Sequence, residues 1–309
     1  MKARFLITVF GICLAGLIQA CQNSSEPNEE GATENESSSI PELETADGNS
    51  LLFEITGNGL ETPSYLFGTI HLIGPDDFFL PEGAEAALEI SDRLVLEIDM
   101  DDPGLIMDVA SITMMDGDTT IDMLLSDEEY ELVDNFLKDQ SGMGLALMKS
   151  FKPFFIAGML AETYLDDYVQ YEQELMDMVK EQDKEVFGLE GIDFLDELIS
   201  QIPLDEQADL LVEGVVEYDE TKEIFAQLIG LYKEQDVEAL NKMVSEEMVE
   251  FAKFEELLLD TRNAYWMESM IPMMNEAPSF FAVGAGHLGG DKGLLVLLSE
   301  AGYNIRPLK

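Results

Sequence analysis

Short apolar runs gather towards the two ends of the chain, and longer stretches with helical spacing fill its middle. Leu51-Leu52-Phe53-Glu54-Ile55-Thr56 reads as a strand, Gly57-Asn58-Gly59 as turn chemistry, and Tyr65 to Ile70 as a second strand, which together predict a hairpin. Glu82 to Ile90 follows Pro81 and is rich in Ala and Glu, so it predicts a helix; Arg93 to Ile98 is an apolar strand ending in Glu97-Ile98-Asp99. Strand, helix, strand in that order favours a mixed or parallel sheet. Ser126-Asp127-Glu128-Glu129 is a capping-box sequence opening a helix through Leu137, and helical spacing continues to Lys180, with Pro153 starting or kinking one helix. Glu185 to Leu189 returns to the sheet ahead of Glu190. From Ile192 to Asn275 the spacing is helical again, broken near Pro203 and Asp260. The end of the chain predicts a strand Ser279 to Val283, a loop Gly284 to His287, a helix Lys292 to Glu300 and a strand Asn304 to Leu308. The fold expected is α+β, a mixed sheet built from N- and C-terminal segments around a large helical middle region. No fixed-period repeat points to a solenoid.

Composition adds a compartment. The hydrophobic fraction, 46% of 309 residues, supplies a proper core. Met1 to Ala20 has Lys2 and Arg4, then the apolar run Phe5 to Ile18, the layout of a secretory signal rather than a membrane span. Leu17-Ile18-Gln19-Ala20-Cys21 resembles a bacterial lipobox, in which Cys21 is lipidated and becomes the new N-terminus. Gln22 to Asn49 is polar and carries few apolar residues, so it is expected to be a disordered tether, leaving one domain over residues 50–309. The protein is thus expected to be exported and lipid-anchored to the bacterial cell envelope. Cys13 lies in the segment to be removed, so no intramolecular disulfide is expected. The net charge is −48, and loss of Lys2 and Arg4 makes the mature chain more negative still. Such a surface repels nucleic acid and anionic headgroups; the acids are spread along the chain as a solvated coat rather than set in calcium-loop spacing.

The sequence holds two histidines, and both close a strand-like run as Gly-x-x-His: Gly68-Thr69-Ile70-His71 and Gly284-Ala285-Gly286-His287. Glu97 and Glu190 also follow short apolar strands, so all four can converge at one edge of a sheet. Two imidazole nitrogens with one or two carboxylate oxygens suit zinc, manganese, cobalt or iron(II), with a position left for a hydrolytic water. His-Glu-x-x-His and Gly-x-Ser-x-Gly are absent, and Gly284 to Gly290 lacks the Gly-x-Gly-x-x-Gly register. Each residue also has a plainer role open to it: a satisfied imidazole holding a turn for His71 and His287, a solvated strand-end carboxylate for Glu97, Asp99 and Glu190, and a salt bridge for Arg262 instead of a carboxylate clamp or oxyanion contact. Asn263 and Trp266 fit capping and packing. Met267, Met270, Met273 and Met274, at helical spacing, fit core filling or a groove for apolar peptides.

Tyr65 to His71, Arg93 to Asp99, Gly188-Leu189-Glu190, Arg262-Asn263 and Val283 to Leu288, followed by Gly293-Leu294-Leu295 and Gly302-Tyr303, form an ordered series that resembles the TraB/GumN family, itself related to the Tiki membrane-tethered metalloproteases. The likeness covers Leu51 to Leu308. This chain departs from it at Glu190-Gly191, where many relatives have Glu-Thr. The resemblance implies an α+β fold with both Gly-x-x-His histidines at one site and manganese- or cobalt-dependent peptide cleavage. It implies His71 and His287 as metal ligands or catalytic groups, Glu97 and Glu190 as ligand or general base, and Arg262 as substrate or oxyanion contact. The leading expectation is a surface-tethered hydrolase, a peptidase acting on a peptide or protein through a metal-activated water. Its competitors are a non-catalytic lipoprotein that binds a peptide or pheromone, and a metal-free esterase-like hydrolase. The first of these readings requires the two imidazoles to meet beside an acid.

Overall fold

The computed structural model describes residue 43, residues 48–247 and residues 256–309. The signal segment, Cys21 and nearly all of the expected tether lie outside them. Among the described residues no helix is long and apolar enough to cross a membrane.

Strands β1 (Leu52–Gly57) and β2 (Ser64–Thr69) form the expected antiparallel hairpin, with Leu52 opposite Phe67. They are followed by β3 (Leu72–Ile73), β4 (Arg93–Ile98), β5 (Val169–Gln170), β6 (Glu185–Glu190), β7 (Ser279–Gly284) and β8 (Tyr303–Leu308). Six of these make one sheet in the order β6-β4-β7-β2-β1-β8; β3 and β5 pair separately. The β7 strand runs parallel to both β2 and β4, and β6 runs parallel to β4, while β1 and β8 are antiparallel to their neighbours. The sheet is therefore mixed. Its parallel part carries residues hidden on both faces, and every residue of β2 and β4 is buried, as a covered parallel sheet requires.

This pairing positions the chemistry. Thr69 lies beside Gly284 in register, so His71, two residues past β2, and His287, three residues past β7, leave the same edge. Glu97 is next to last in β4 and Glu190 is last in β6, and both strands point the same way. Four residues from distant parts of the sequence thus reach the carboxyl ends of neighbouring parallel strands.

Helices α1 (Ala84–Ile90), α2 (Leu105–Thr113), α3 (Asp127–Ser141), α4 (Pro153–Glu162) and α5 (Tyr171–Lys180) come first, then α6 (Ile192–Ile199), α7 (Leu204–Val216), α8 (Tyr218–Lys233) and α9 (Val237–Glu247). The last two are α10 (Thr261–Glu276), entered through a π-helical turn over Glu256–Asp260, and α11 (Leu294–Glu300). The capping box at α3 is complete: Ser126 Oγ accepts from Glu129 N–H, and Glu129 accepts in return from Ser126 N–H. Pro153 starts α4 rather than kinking it, since a first-turn residue has no helical N–H bond to lose. The helical spacing read from Leu137 to Lys180 is interrupted three times. Gly142 ends α3 in the left-handed conformation, a 3-10 turn spans Leu145–Met148, and β5 intervenes before α5. The C-terminal helix starts at Leu294, two residues later than expected.

A contiguous buried cluster joins the sheet to the helices. Met270 and Met274 belong to it, and Met267 and Met273 pack against it, so the methionine stripe fills core.

Candidate functional site

Arg262, in the first turn of α10, is only 1% exposed, and no ordinary sequence pressure puts a guanidinium there without partners. Its partners are the two strand-end glutamates. Nη2 lies 2.7 Å from Glu97 Oε2 and 2.6 Å from Glu190 Oε1, and Nε donates to Glu190 Oε1 and Oε2 at 2.9 and 3.1 Å. Trp266, one helical turn on, adds its indole N–H to Glu190 Oε2 at 2.7 Å and packs its ring 4.6 Å from the guanidinium carbon. Glu97 and Glu190 are buried, so the solvated strand-end role does not apply to either. Asn263 and Trp266 do more than cap and pack.

Both oxygens of Glu190 are engaged by Arg262 and Trp266, while Glu97 keeps one oxygen turned the other way. Oε1 of Glu97 accepts the Gly284 N–H at 2.8 Å and lies 4.0 Å from His287 Nε2. The two carboxyls are pushed in opposite directions. Burial alone pushes Glu97 up, but Arg262, the two imidazoles and the Gly284 N–H together outweigh it and hold Glu97 well below the usual carboxylate range. At Glu190 burial prevails; Arg262 offsets it only in part, and the neighbouring Glu97 charge opposes ionisation, so this carboxyl is raised.

Each imidazole is fixed through Nδ1. His71 Nδ1 lies 2.8 Å from Glu172 Oε1, which also accepts from Thr69 Oγ1 at 3.1 Å. A carboxylate only accepts, so this Nδ1 carries the hydrogen, and Nε2 is the nitrogen turned towards Gly284. His287 Nδ1 lies 2.8 Å from Asn263 Oδ1. The amide orientation is set by Asn263 Nδ2, which donates to the carbonyls of His287 and Lys292 at 3.3 and 3.0 Å, so the oxygen must face the ring. His287 therefore also offers Nε2, to which Arg262 Nη1 approaches at 3.4 Å. Burial pushes the His287 imidazole down to about 3, against the pull of Glu97, so the ring is neutral at ordinary pH.

The three groups share one gap. A Cβ added to Gly284 would stand 3.4 Å from Glu97 Oε1, 3.5 Å from His71 Nε2 and 3.7 Å from His287 Cδ2. Glycine at this position leaves a vacant volume among two imidazoles and a carboxylate, and in donor chemistry that set suits a divalent cation. The expected four-ligand centre is not assembled as such. Among the described residues no group of three or more His, Cys, Asp or Glu is spaced to hold an ion. The physical reason is Arg262, whose guanidinium draws Glu190 and one oxygen of Glu97 to itself. Asp99 stays outside the network; it is pushed up to about 6 by burial and then by Asp101 and Asp102.

Sequence reasoning brought His71, His287, Glu97, Glu190 and Arg262 together and missed Glu172. That residue opens α5 as one acid among 64, and only its place directly after β5, which pairs with β3 beside His71, marks it.

The chain matches the family model described as the TraB/PrgY/gumN family over residues 51–307. It is similar to the Metalloprotease TIKI2 of Danio rerio, 22% identical over 315 residues that cover 84% of this chain and 61% of that protein. The chain thus spans about three fifths of that relative's length. No solved structure matches it. With a match that runs from β1 into β8 and takes in every residue of the buried network, this chain belongs to the TraB/PrgY/gumN family.

Proposed function

We propose that the protein is a divalent-metal-dependent hydrolase of peptides, held at the cell envelope through a lipid on Cys21. The observation that carries this is the gap at Gly284, where His71 Nε2, Glu97 Oε1 and the His287 ring converge. His71, His287 and Glu97 are the residues that would hold the cation, and Glu190 serves Arg262 as counter-ion. The chemistry a divalent ion would supply there is polarisation of a substrate carbonyl and a lowered pKa for water. Glu172 and Asn263 each hold one imidazole through its Nδ1, which fixes the orientation of both rings. Glu97, kept ionised by Arg262 and the Gly284 N–H, would balance the charge of the cation. Arg262 Nη1, whose contacts to Leu258 O and His287 Nε2 are long at 3.5 and 3.4 Å, turns to a developing oxyanion. The similarity to a protein named as a metalloprotease supports the reaction class.

Peptide turnover is expected to vanish on chelation, to return with Mn²⁺ or Co²⁺, and to be lost in His71→Ala and His287→Ala proteins that still unfold cooperatively. Full turnover in both variants overturns the proposal. A metal-free hydrolase is favoured by one observation, the lack of a ready-made ion cage among the described residues; chelator-resistant turnover that still needs His71 selects it. Replacing Cys21 by Ala is expected to move the protein from the membrane to the soluble fraction, and unchanged fractionation removes the anchor.

A further inference from the structure

The two imidazoles form one wall of a cavity of about 60 Å³. Its other walls are Ile70 and Leu72 beside His71, Phe225 and Leu228 from α8, Leu240 from α9 and Leu259 from the π-helical turn. The hydroxyls that reach this lining are already used: Tyr232 donates to Gly68 O at 2.9 Å, and Thr69 donates to Glu172 at 3.1 Å. Among the described residues, a polar or charged guest would lose its water and find no side-chain partner beyond the histidines, whereas an aliphatic guest loses nothing. One water takes roughly 10–15 Å³ of such space, so the cavity suits a few carbon atoms and not an indole.

We infer that this cavity is a specificity pocket that takes a medium-sized aliphatic side chain, of the size of Leu, Ile or Met, from the residue flanking the bond presented to His71 and His287. This deepens the hydrolase reading and rests on it for the bond, though not for the binding. Among the described residues the pocket wall carries no carboxylate, so no acidic group in it contributes to the choice.

The test has two arms on the whole chain. In the first, a pool of peptides varied at every position is digested and cleavage sites are read by mass spectrometry. Cleavage is expected to cluster beside Leu, Ile or Met, with kcat/KM at least about tenfold lower for Asp, Lys or Trp at that position. Leu228→Ala should admit Trp, and Leu228→Phe should shift the preference towards Ala. In the second arm, N-acetyl-leucine amide, N-acetyl-aspartate amide and N-acetyl-tryptophan amide are titrated by calorimetry, with the fluorescence of Trp266, the single tryptophan, as a second readout. It packs 4.3 Å from the His287 ring, so it senses the wall of the cavity. Saturable binding of the leucine compound alone, lost in Leu228→Phe, is the expected result. Cleavage with no aliphatic preference overturns the pocket and leaves the hydrolase standing. Selective binding without cleavage of any peptide keeps the pocket and removes the hydrolase. Neither binding nor cleavage removes both.

Discussion

His71 and His287 leave adjacent parallel strands from the same Gly-x-x-His pattern, and their rings sit in opposite electrical surroundings. His71 leans on a carboxylate, Glu172, at the rim of α5. His287 leans on a neutral amide, Asn263, with the Trp266 ring against it and the Arg262 guanidinium at its far nitrogen. Strand register delivers each imidazole to the edge; helices from elsewhere in the sequence decide what charge it meets. One ring is thereby tied to an acid and the other is kept neutral. A pair of identical motifs yields two unlike groups.

The comparison breaks most severely at Arg262. Arg262→Met removes the cation shared by two buried carboxylates, and a buried pair left without one partner costs about 3–5 kcal/mol. Urea unfolding is expected to report a loss of that order at neutral pH; a loss below about 1 kcal/mol would mean that the network contributes little to folding. The two arms can then be set against each other. Asn263→Leu strips the partner from His287 Nδ1 and from two carbonyls, and is expected to cost about 1–3 kcal/mol in stability, because buried polar groups are left unmade. Glu172→Gln keeps the shape and changes only a charged acceptor for a neutral one, so stability should barely move while activity falls roughly 10–100-fold, the usual cost of losing a ligand's supporting partner. Equal stability losses in the two variants would erase the contrast between the arms.

The smallest effect provides a background for the others. Glu162, at the end of α4, is raised by burial, with the Tyr168 hydroxyl offsetting this in part. Its folded pKa lies above its unfolded one, so the folded state holds the proton longer. The stability it contributes is present below the ordinary Glu range and is lost as pH climbs through the raised value. Glu162→Gln should therefore match the wild type in Tm near pH 4 and exceed it slightly near pH 8. A difference that shrinks with rising pH contradicts the assignment.

Much of this was legible from residue order alone. The hairpin, β4, β6 and β7 stood out as short apolar runs, and the Gly-x-x-His pairs and strand-end acids marked the edge where they meet. What did not show was the position of β7 between β2 and β4, because pairing partners so far apart along the chain leave no local trace. Glu172 was hidden in a run of similar acids, and its role depends on a two-residue ladder too short to read from a pattern. The cooperation of Arg262 with Trp266 was half visible, since the one-turn spacing was plain but the carboxylate between them belongs to β6.

The place of β7 also governs assembly. Strands β2 and β4 are synthesised long before the segment that lies between them, and each is buried along its whole length. During that interval β2 has β1 on one side only and β4 has β6 on one side only, and the edge each keeps for β7 must be kept from sticking to anything else, a burden typical of slow, non-local topologies. Residues 279–287 therefore join the two halves of the sheet and bring the second imidazole to its edge in the same step.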